Sequence, residues 1–477
     1  METSKTERVS KHDDARMETI TDNKRIVPEK LALLRRKLGQ KAKDEPEFRF
    51  YSLYAHIYRK DTLTTAWKKV CSNGGSPGID GISISDIQES QGGATRFLDE
   101  IAEALRSRKY KPMPVKRVYI PKADGKLRPL GIPTIKDRVV QMAAVLILEP
   151  IFEEDFLDCS YGFRPKRSAH DAVKEVALNI KRGRKAIYDV DIKGYFDAIP
   201  HDKLMKCVQK RVTDGSVLKL VRMWLKAPII EYEKDDNGNT NVKITKPQSG
   251  TPQGGVISPL LANLYLHWFD MRFHGENGPR KFANARLVRY ADDFVIMAKY
   301  QGVQISEFVH NVIVDWLGLE MNSEKTKVVT LNEASKAIDF LGFTFRIENS
   351  LTGSGTYLRV EPRKNAAQRA KDRIRELTSK KLCFVPIPVI IANINKFLSS
   401  WDGYFRVGHP WRVYNEIDYF VRYKVIKHLR RRSQRAYKPN KDKSYHQHLK
   451  DLGLKSLVGI MAERSGKAVC GKSARTV

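Results

Sequence analysis

Two short apolar runs carry aspartates where a buried strand would carry aliphatic side chains, and nothing else in the chain constrains its folding as strongly. In Ala186 to Ile192 (AIYDVDI), strand alternation puts Asp189 and Asp191 on one face and Tyr188, Val190 and Ile192 on the other. Arg286 to Ala298 (RLVRYADDFVIMA) reads as a hairpin with Asp292 and Asp293 at its tip. A carboxylate left uncompensated in such surroundings is costly or takes up a proton. Converging carboxylates need a cation to cancel their repulsion, and Mg²⁺ takes oxygen ligands of this kind. Two such ions roughly 3.5–4 Å apart activate a 3′-hydroxyl and stabilise a leaving pyrophosphate in an in-line displacement. An isolated Asp-Asp pair in a loop is usually a turn feature. Here apolar strands flank it, and a strand-borne aspartate lies about a hundred residues upstream.

Charge narrows the partners. The 477 residues hold 86 Lys and Arg against 55 acids, a net of +31. Such an excess repels itself unless a polyanion neutralises it. Nucleic acid is the first expectation and a membrane surface the second. Insertion into a membrane is not expected. The longest apolar stretch, Val139 to Leu148, is interrupted by Gln141 and is about half of the roughly 20 residues a spanning helix needs. The first twenty residues have no apolar core of a secretory signal. Cysteines at 71, 159, 207, 383 and 470 form no Cys-x-x-Cys pair, which argues for a reducing cytosol and against a zinc knuckle or disulfide framework. Hydrophobic residues make up 41%, enough for about three domains at roughly 150 residues each.

Along the chain, residues 1–47 read as a flexible basic arm with one short helix over Pro28 to Leu38. Helical spacing starts at Phe48, followed by a glycine-rich loop, SNGGSPGIDG. Residues 115–133 read as a hairpin around Asp124-Gly125. Thr134 and Ser168 are N-caps for the two helices that follow them, and Ser258 with Pro259 opens a helix over 256–273. Residues 338–346 (IDFLGFTFR) read as one strand. From about 362 the pattern is helical and basic: residues 361–477 hold 27 Lys and Arg against 9 acids, a net of +18. The interleaved aromatics Trp401, Tyr404, Phe405, Trp411, Tyr414, Tyr419, Phe420 and Tyr423 are expected to be mostly core, with the cations facing nucleic acid.

Tyr290-Ala291-Asp292-Asp293 matches the Tyr-x-Asp-Asp motif of reverse transcriptases. DIKGYFDAI (191–199), GTPQGGVISPLLANLYL (250–266), GIPTIKDRVVQ (131–141), YGFRPKRSAHDAV (161–173) and SPGIDG (76–81) resemble, in order and spacing, the blocks of bacterial group II intron reverse transcriptase/maturases. The likeness runs from about residue 50 to 430. It implies an α+β right-hand polymerase fold of fingers, palm and thumb, with a helical basic thumb/maturase domain. The divisions expected are an arm (1–47), an N-terminal extension with fingers (48–185), a palm with fingers elements (186–350), a thumb/maturase domain (362–432) and a short basic tail, a possible DNA-binding remnant (433–477).

The resemblance makes Asp191, Asp292 and Asp293 the catalytic, metal-binding triad and leaves Asp189 structural. Phe196 matches the aromatic that blocks a ribose 2′-hydroxyl. Gln253 and Gly254 match the loop against the incoming nucleotide. Lys122 and Arg128 match the clamp on its triphosphate, and Lys325 the lysine that protonates pyrophosphate. The implied cofactor is Mg²⁺, two ions, with Mn²⁺ as a substitute. The implied partners are a group II intron RNA, a DNA target or primer and dNTPs, in a bacterial cytoplasmic ribonucleoprotein or nucleoid setting, with no membrane and an oligomeric state left open. The implied activity is RNA-directed DNA polymerisation coupled to intron splicing and retrohoming. Two other readings stand beside it: a reverse transcriptase recruited to antiviral defence or repair, and an RNA-binding splicing factor with dispensable polymerase activity. The residues after about 435 hold His446, His448 and Cys470 but not the Cys/His set of the longer members' nuclease, so no endonuclease is expected.

Overall fold

In the computed structural model, Ala186–Val190 is an inner strand of a four-stranded antiparallel sheet. The order is Lys327–Thr330, Ala186–Val190, Asp293–Ala298, Arg286–Tyr290. The structure describes residues 21–464 except 23–24, 122–124, 126, 235–239, 333–335, 351–352, 354, 433–438 and 440–442. Alternation works as read: Tyr188, Val190, Phe294 and Ile296 enter one core, while Ile187, Val288, Val295 and Met297 enter a second. The sheet is thus covered on both faces, which is why 294–298 is a continuous apolar run.

The first core is closed by helices. Ile135–Glu153 is capped by Thr134, whose hydroxyl accepts the Asp137 N–H at 3.1 Å. Its one buried amide, Gln141, is satisfied because Oε1 accepts the Val256 N–H at 2.8 Å. Ser168 caps Ala169–Lys181 through a reciprocal box with Asp171. The hairpin Val115–Pro121 and Leu127–Ile132 forms as read, and its first strand pairs in parallel with Ile229–Lys234, which turns back as Thr240–Thr245.

Five expectations need correction. The helix near the N-terminus is Glu29–Asp44, longer than read, and from residue 29 it is packed structure rather than an arm. Leu31, Leu38 and Ala42 form a buried stripe against Ile135–Glu153, and Arg35 pairs with Glu149 at 2.7 Å. Ser258 does not cap its helix. Ile257 holds the cap position, and the Ser258 hydroxyl donates to the Pro252 carbonyl at 2.8 Å. Residues 338–346 are not one strand but the hairpin Ala337–Phe340 and Phe343–Asn349, turning on Leu341 (φ +49°) and Gly342 (φ +80°). Within 433–477, the helices Tyr445–Asp451 and Leu457–Arg464 are docked rather than a loose tail. Leu449, Leu457 and Ile460 are buried, and the buried Asp418 accepts the N–H groups of Leu457 and Val458. Finally, the thumb aromatics are not mostly core. Trp401, Phe405 and Tyr414 are buried, but Tyr404, Trp411, Tyr419 and Tyr423 are 38–70% exposed. In Trp411–Arg430 the buried stripe is already filled by Val413, Tyr414, Ile417, Val421, Val425 and Leu429. Among the described residues no helix is long and apolar enough to cross a membrane.

One ion pair sits inside this core without solvent contact. Arg289 Nη2 meets Asp270 Oδ2 at 2.5 Å, and both side chains are 0% exposed. Removing one partner of such a pair strands the other charge and costs about 3–5 kcal/mol. Asp270→Ala should therefore lower the thermal and urea midpoints sharply, while Asp270→Leu with Arg289→Met recovers much of the loss. A single substitution that leaves both midpoints unmoved would contradict this.

Candidate active site

The hairpin Arg286–Tyr290 and Asp293–Ala298 turns on Ala291-Asp292, with Tyr290 opposite Asp293. Ala291 has φ +58°, a region that residues with a Cβ seldom occupy. The turn is held from beneath. Arg289 donates through Nη1 to the Ala291 carbonyl at 2.9 Å and to Asn263 Oδ1 at 3.0 Å. Asn263 Nδ2 in turn donates to the Gly162 carbonyl at 2.7 Å. A Cβ at Gly162 would stand 2.5 Å from the Ala291 nitrogen, so only glycine admits the approach.

Asp191 follows directly after the strand Ala186–Val190. Its Oδ2 accepts from Asn322 Nδ2 at 3.0 Å and lies 3.6 Å from Lys325 Nζ. Asp191, Asp292 and Asp293 line one groove of about 560 Å³, together with Arg128, Phe196, Gln253 and Lys325. Seven of the nine residues singled out from sequence thus meet in one place. Gly254 is at φ +113°, where a Cβ would stand 2.4 Å from the Gly131 carbonyl oxygen. Lys122 lies outside the described residues. Asp189 does not line the groove; it stands 3.9 Å from Lys327 on the neighbouring strand.

The carboxylates strain against one another. Asp293 faces the groove, yet the surrounding protein and the charges of Asp292, Asp191 and Asp189 push its carboxyl up to about 7, with Lys325 pulling the other way. Burial, and then Asp191, also raise Asp292, against Arg128 and Arg289. Among the described residues no three His, Cys, Asp or Glu side chains stand as a ready-made metal cage. The donor chemistry nevertheless fits Mg²⁺, which binds through one or two carboxylates, water and substrate phosphates rather than through an all-protein cage.

Phe196 is half-buried on the short helix Tyr195–Ala198. Its carbonyl accepts the Thr251 N–H at 2.7 Å, and its ring stands edge-on to Tyr195 and Phe163. Sequence reasoning missed Asn322, which orients Asp191, and the Lys193–Glu320 pair at the groove mouth (2.8 Å). It also missed the Arg289–Asn263 support. An arginine directly before the Tyr-x-Asp-Asp motif, inside an apolar strand, was the available signal.

Comparison with known proteins places the chain in a family. Residues 120–345 match the reverse transcriptase (RNA-dependent DNA polymerase) family, and 367–447 match the group II intron maturase-specific domain. Protein YkfC of Escherichia coli K12 is 34% identical over 371 residues, covering 70% of this chain and 93% of its own length. The group II intron-encoded protein LtrA of Lactococcus lactis is 31% identical over 386 residues, 68% of this chain but only 61% of LtrA. Telomerase from Candida albicans aligns over 76% of this chain and 71% of its own, at 15% identity and a TM-score of 0.37. With a relative matched over nearly its whole length, and with polymerase and maturase matches following one another along the chain, this protein belongs to the group II intron reverse transcriptase/maturase family and is an RNA-directed DNA polymerase of the right-hand fold.

Proposed function

We propose that the groove adds deoxynucleotides to a primer on a group II intron RNA, which the chain also helps to splice and copies during retrohoming within a ribonucleoprotein. The reading rests on one observation: three carboxylates, an arginine, a lysine, a glutamine and an aromatic ring share a single groove. Asp191, Asp292 and Asp293 would hold two Mg²⁺ ions, which when bound supply the positive charge that activates the 3′-hydroxyl and steadies the leaving pyrophosphate. Asn322 keeps Asp191 turned into the groove. Arg128, together with Lys122, neutralises charge on the triphosphate. Gln253 and Gly254 lie against the incoming nucleotide, and the missing Cβ at 254 lets backbone approach closely. Lys325 donates a proton to the departing pyrophosphate. The exposed aromatics and cations of Trp411–Arg430 engage the intron RNA.

Asp292→Asn should abolish primer extension on an RNA template with Mg²⁺ as the metal, while RNA affinity is largely kept. Near wild-type extension by this variant would sink the assignment.

Phe196 would pack under the sugar of the incoming nucleotide. A 2′-hydroxyl forced against the ring costs about 1–3 kcal/mol, which is roughly five- to over a hundred-fold in discrimination. Phe196→Val should raise the efficiency of CTP relative to dCTP insertion by about tenfold or more. Were Phe196 plain core, truncation would cost stability and both substrates would suffer alike.

RNA binding should weaken steeply with salt, by about 0.7 log units per decade for each single-strand phosphate neutralised. Removing residues 362–477 would open the second core, so the finer test is Arg412→Ala with Lys427→Ala, both exposed on the same helix. This pair should flatten the salt slope by about one unit. An unchanged slope would move the RNA surface elsewhere.

A further inference from the structure

Phe163 is a large apolar side chain, 53% exposed, with φ +57°. A bulky residue at positive φ is a genuine outlier, and such strain persists only where the surroundings over-determine it. Here both neighbours are anchored. Gly162 is pressed against the Tyr290–Ala291 peptide, and its carbonyl is held by Asn263. Arg164 is buried and donates to Glu153 at 2.8 Å and to the carbonyls of Leu157 and Ser160 at 2.7 and 2.8 Å. The backbone between them is left with one path, and that path turns the Phe163 ring outward. The ring does not return to the core. It stands edge-on to Phe196, centroids 6.5 Å apart and planes at 78°. Tyr195 also meets the Phe196 ring edge-on, centroids 5.6 Å apart.

We infer that Phe163 is a specificity-determining residue: it is the outer wall that fixes the Phe196 ring under the sugar of the incoming nucleotide. The inference rests on the reading of Phe196 as the barrier to ribose. A ring with one neighbour can swing aside for a 2′-hydroxyl; with both Tyr195 and Phe163 edge-on against it, it cannot. The same loop presses Gly162 on the Asp292 turn, so the wall and the reacting carboxylates share one support.

The test is single-nucleotide insertion of dCTP and CTP on one RNA template–DNA primer duplex, with melting curves, for F163A, F163L and F196V. Phe163 is exposed, so F163A should melt as wild type does. F163A is expected to raise the CTP to dCTP efficiency ratio by about fivefold, with dCTP turnover near wild type, while F163L, which keeps bulk against Phe196, stays within about twofold. If F196V raises the ratio and F163A does not, the wall is refuted and the barrier stands. If F163A lowers both efficiencies alike, Phe163 serves the primer–template duplex and the inference is overturned. If F196V itself leaves the ratio unchanged, the reading of Phe196 fails and this inference falls with it.

Discussion

Arg289 carries a full charge where no water reaches it, and only Asp270, equally sealed, makes that tolerable. As a stabilising device the pair is poor, since two apolar side chains of similar volume would often serve as well. What it provides is direction. A guanidinium presents donors in a rigid planar fork, which a lysine cannot. Two donors are spent on Asp270, which fixes the plane; a third reaches both Asn263 and the Ala291 carbonyl. The left-handed turn that carries Asp292 is therefore not free to relax into a commoner one. Through Asn263 the same fork holds the loop at Gly162. The turn that carries Asp292 and the loop beside it are two outputs of one buried charge.

The electrostatics of the groove run against those of the molecule. The chain as a whole is at +31, yet the groove concentrates acids, and burial together with their mutual repulsion raises Asp292 and Asp293. A polyanion is drawn to the surface by the net field. The same polyanion is repelled by the ionised carboxylates until a cation stands between them. On the proposed reading, phosphate would approach along Arg128 and Lys325, and Asp191, Asp292 and Asp293 would hold the cation that offsets their charge. Asn322 and Lys325, both on Asp191, keep that carboxylate oriented while leaving it open to the groove.

Much of this was legible in the residues because the physics involved is local. Strand alternation assigned the faces of Ala186–Val190 correctly, and Thr134 and Ser168 cap as read because a hydroxyl three residues before an amide needs no tertiary context. The misses were non-local. Glu29–Asp44 is so rich in charge that its stripe of Leu31, Leu38 and Ala42 is diluted, and burial depends on a helix a hundred residues away. Gln141 read as an interruption of an apolar run; it ties down the loop that leads into a distant helix, a role that only the Val256 N–H reveals. The 337–349 hairpin hid because a turn with both central residues at positive φ usually announces itself with Asn-Gly or Asp-Gly, and here the first position is Leu341. The carboxylates and the blocks around them were visible, whereas Arg289, Asn263 and Asn322 acquire meaning only from partners that the fold brings to them.

The thumb aromatics show where residue type stops predicting place. In Trp411–Arg430 the apolar stripe needed for packing is complete without Trp411, Tyr419 or Tyr423. These three therefore contribute little to folding, and each leaves an apolar ring in water, which stability alone would not favour. They share an outer face with Arg412 and Lys427, and Lys424 stacks on the Phe420 and Tyr423 rings at 5.3 and 5.6 Å. The C-terminal helices close a different side of the same helix, where Asp418 caps Leu457–Arg464. One helix thus spends its apolar stripe on the core, a second side on the chain's own end, and its third on flat rings and cations. Rings that stack on any base and cations that meet any phosphate make that remaining side suited to structured RNA.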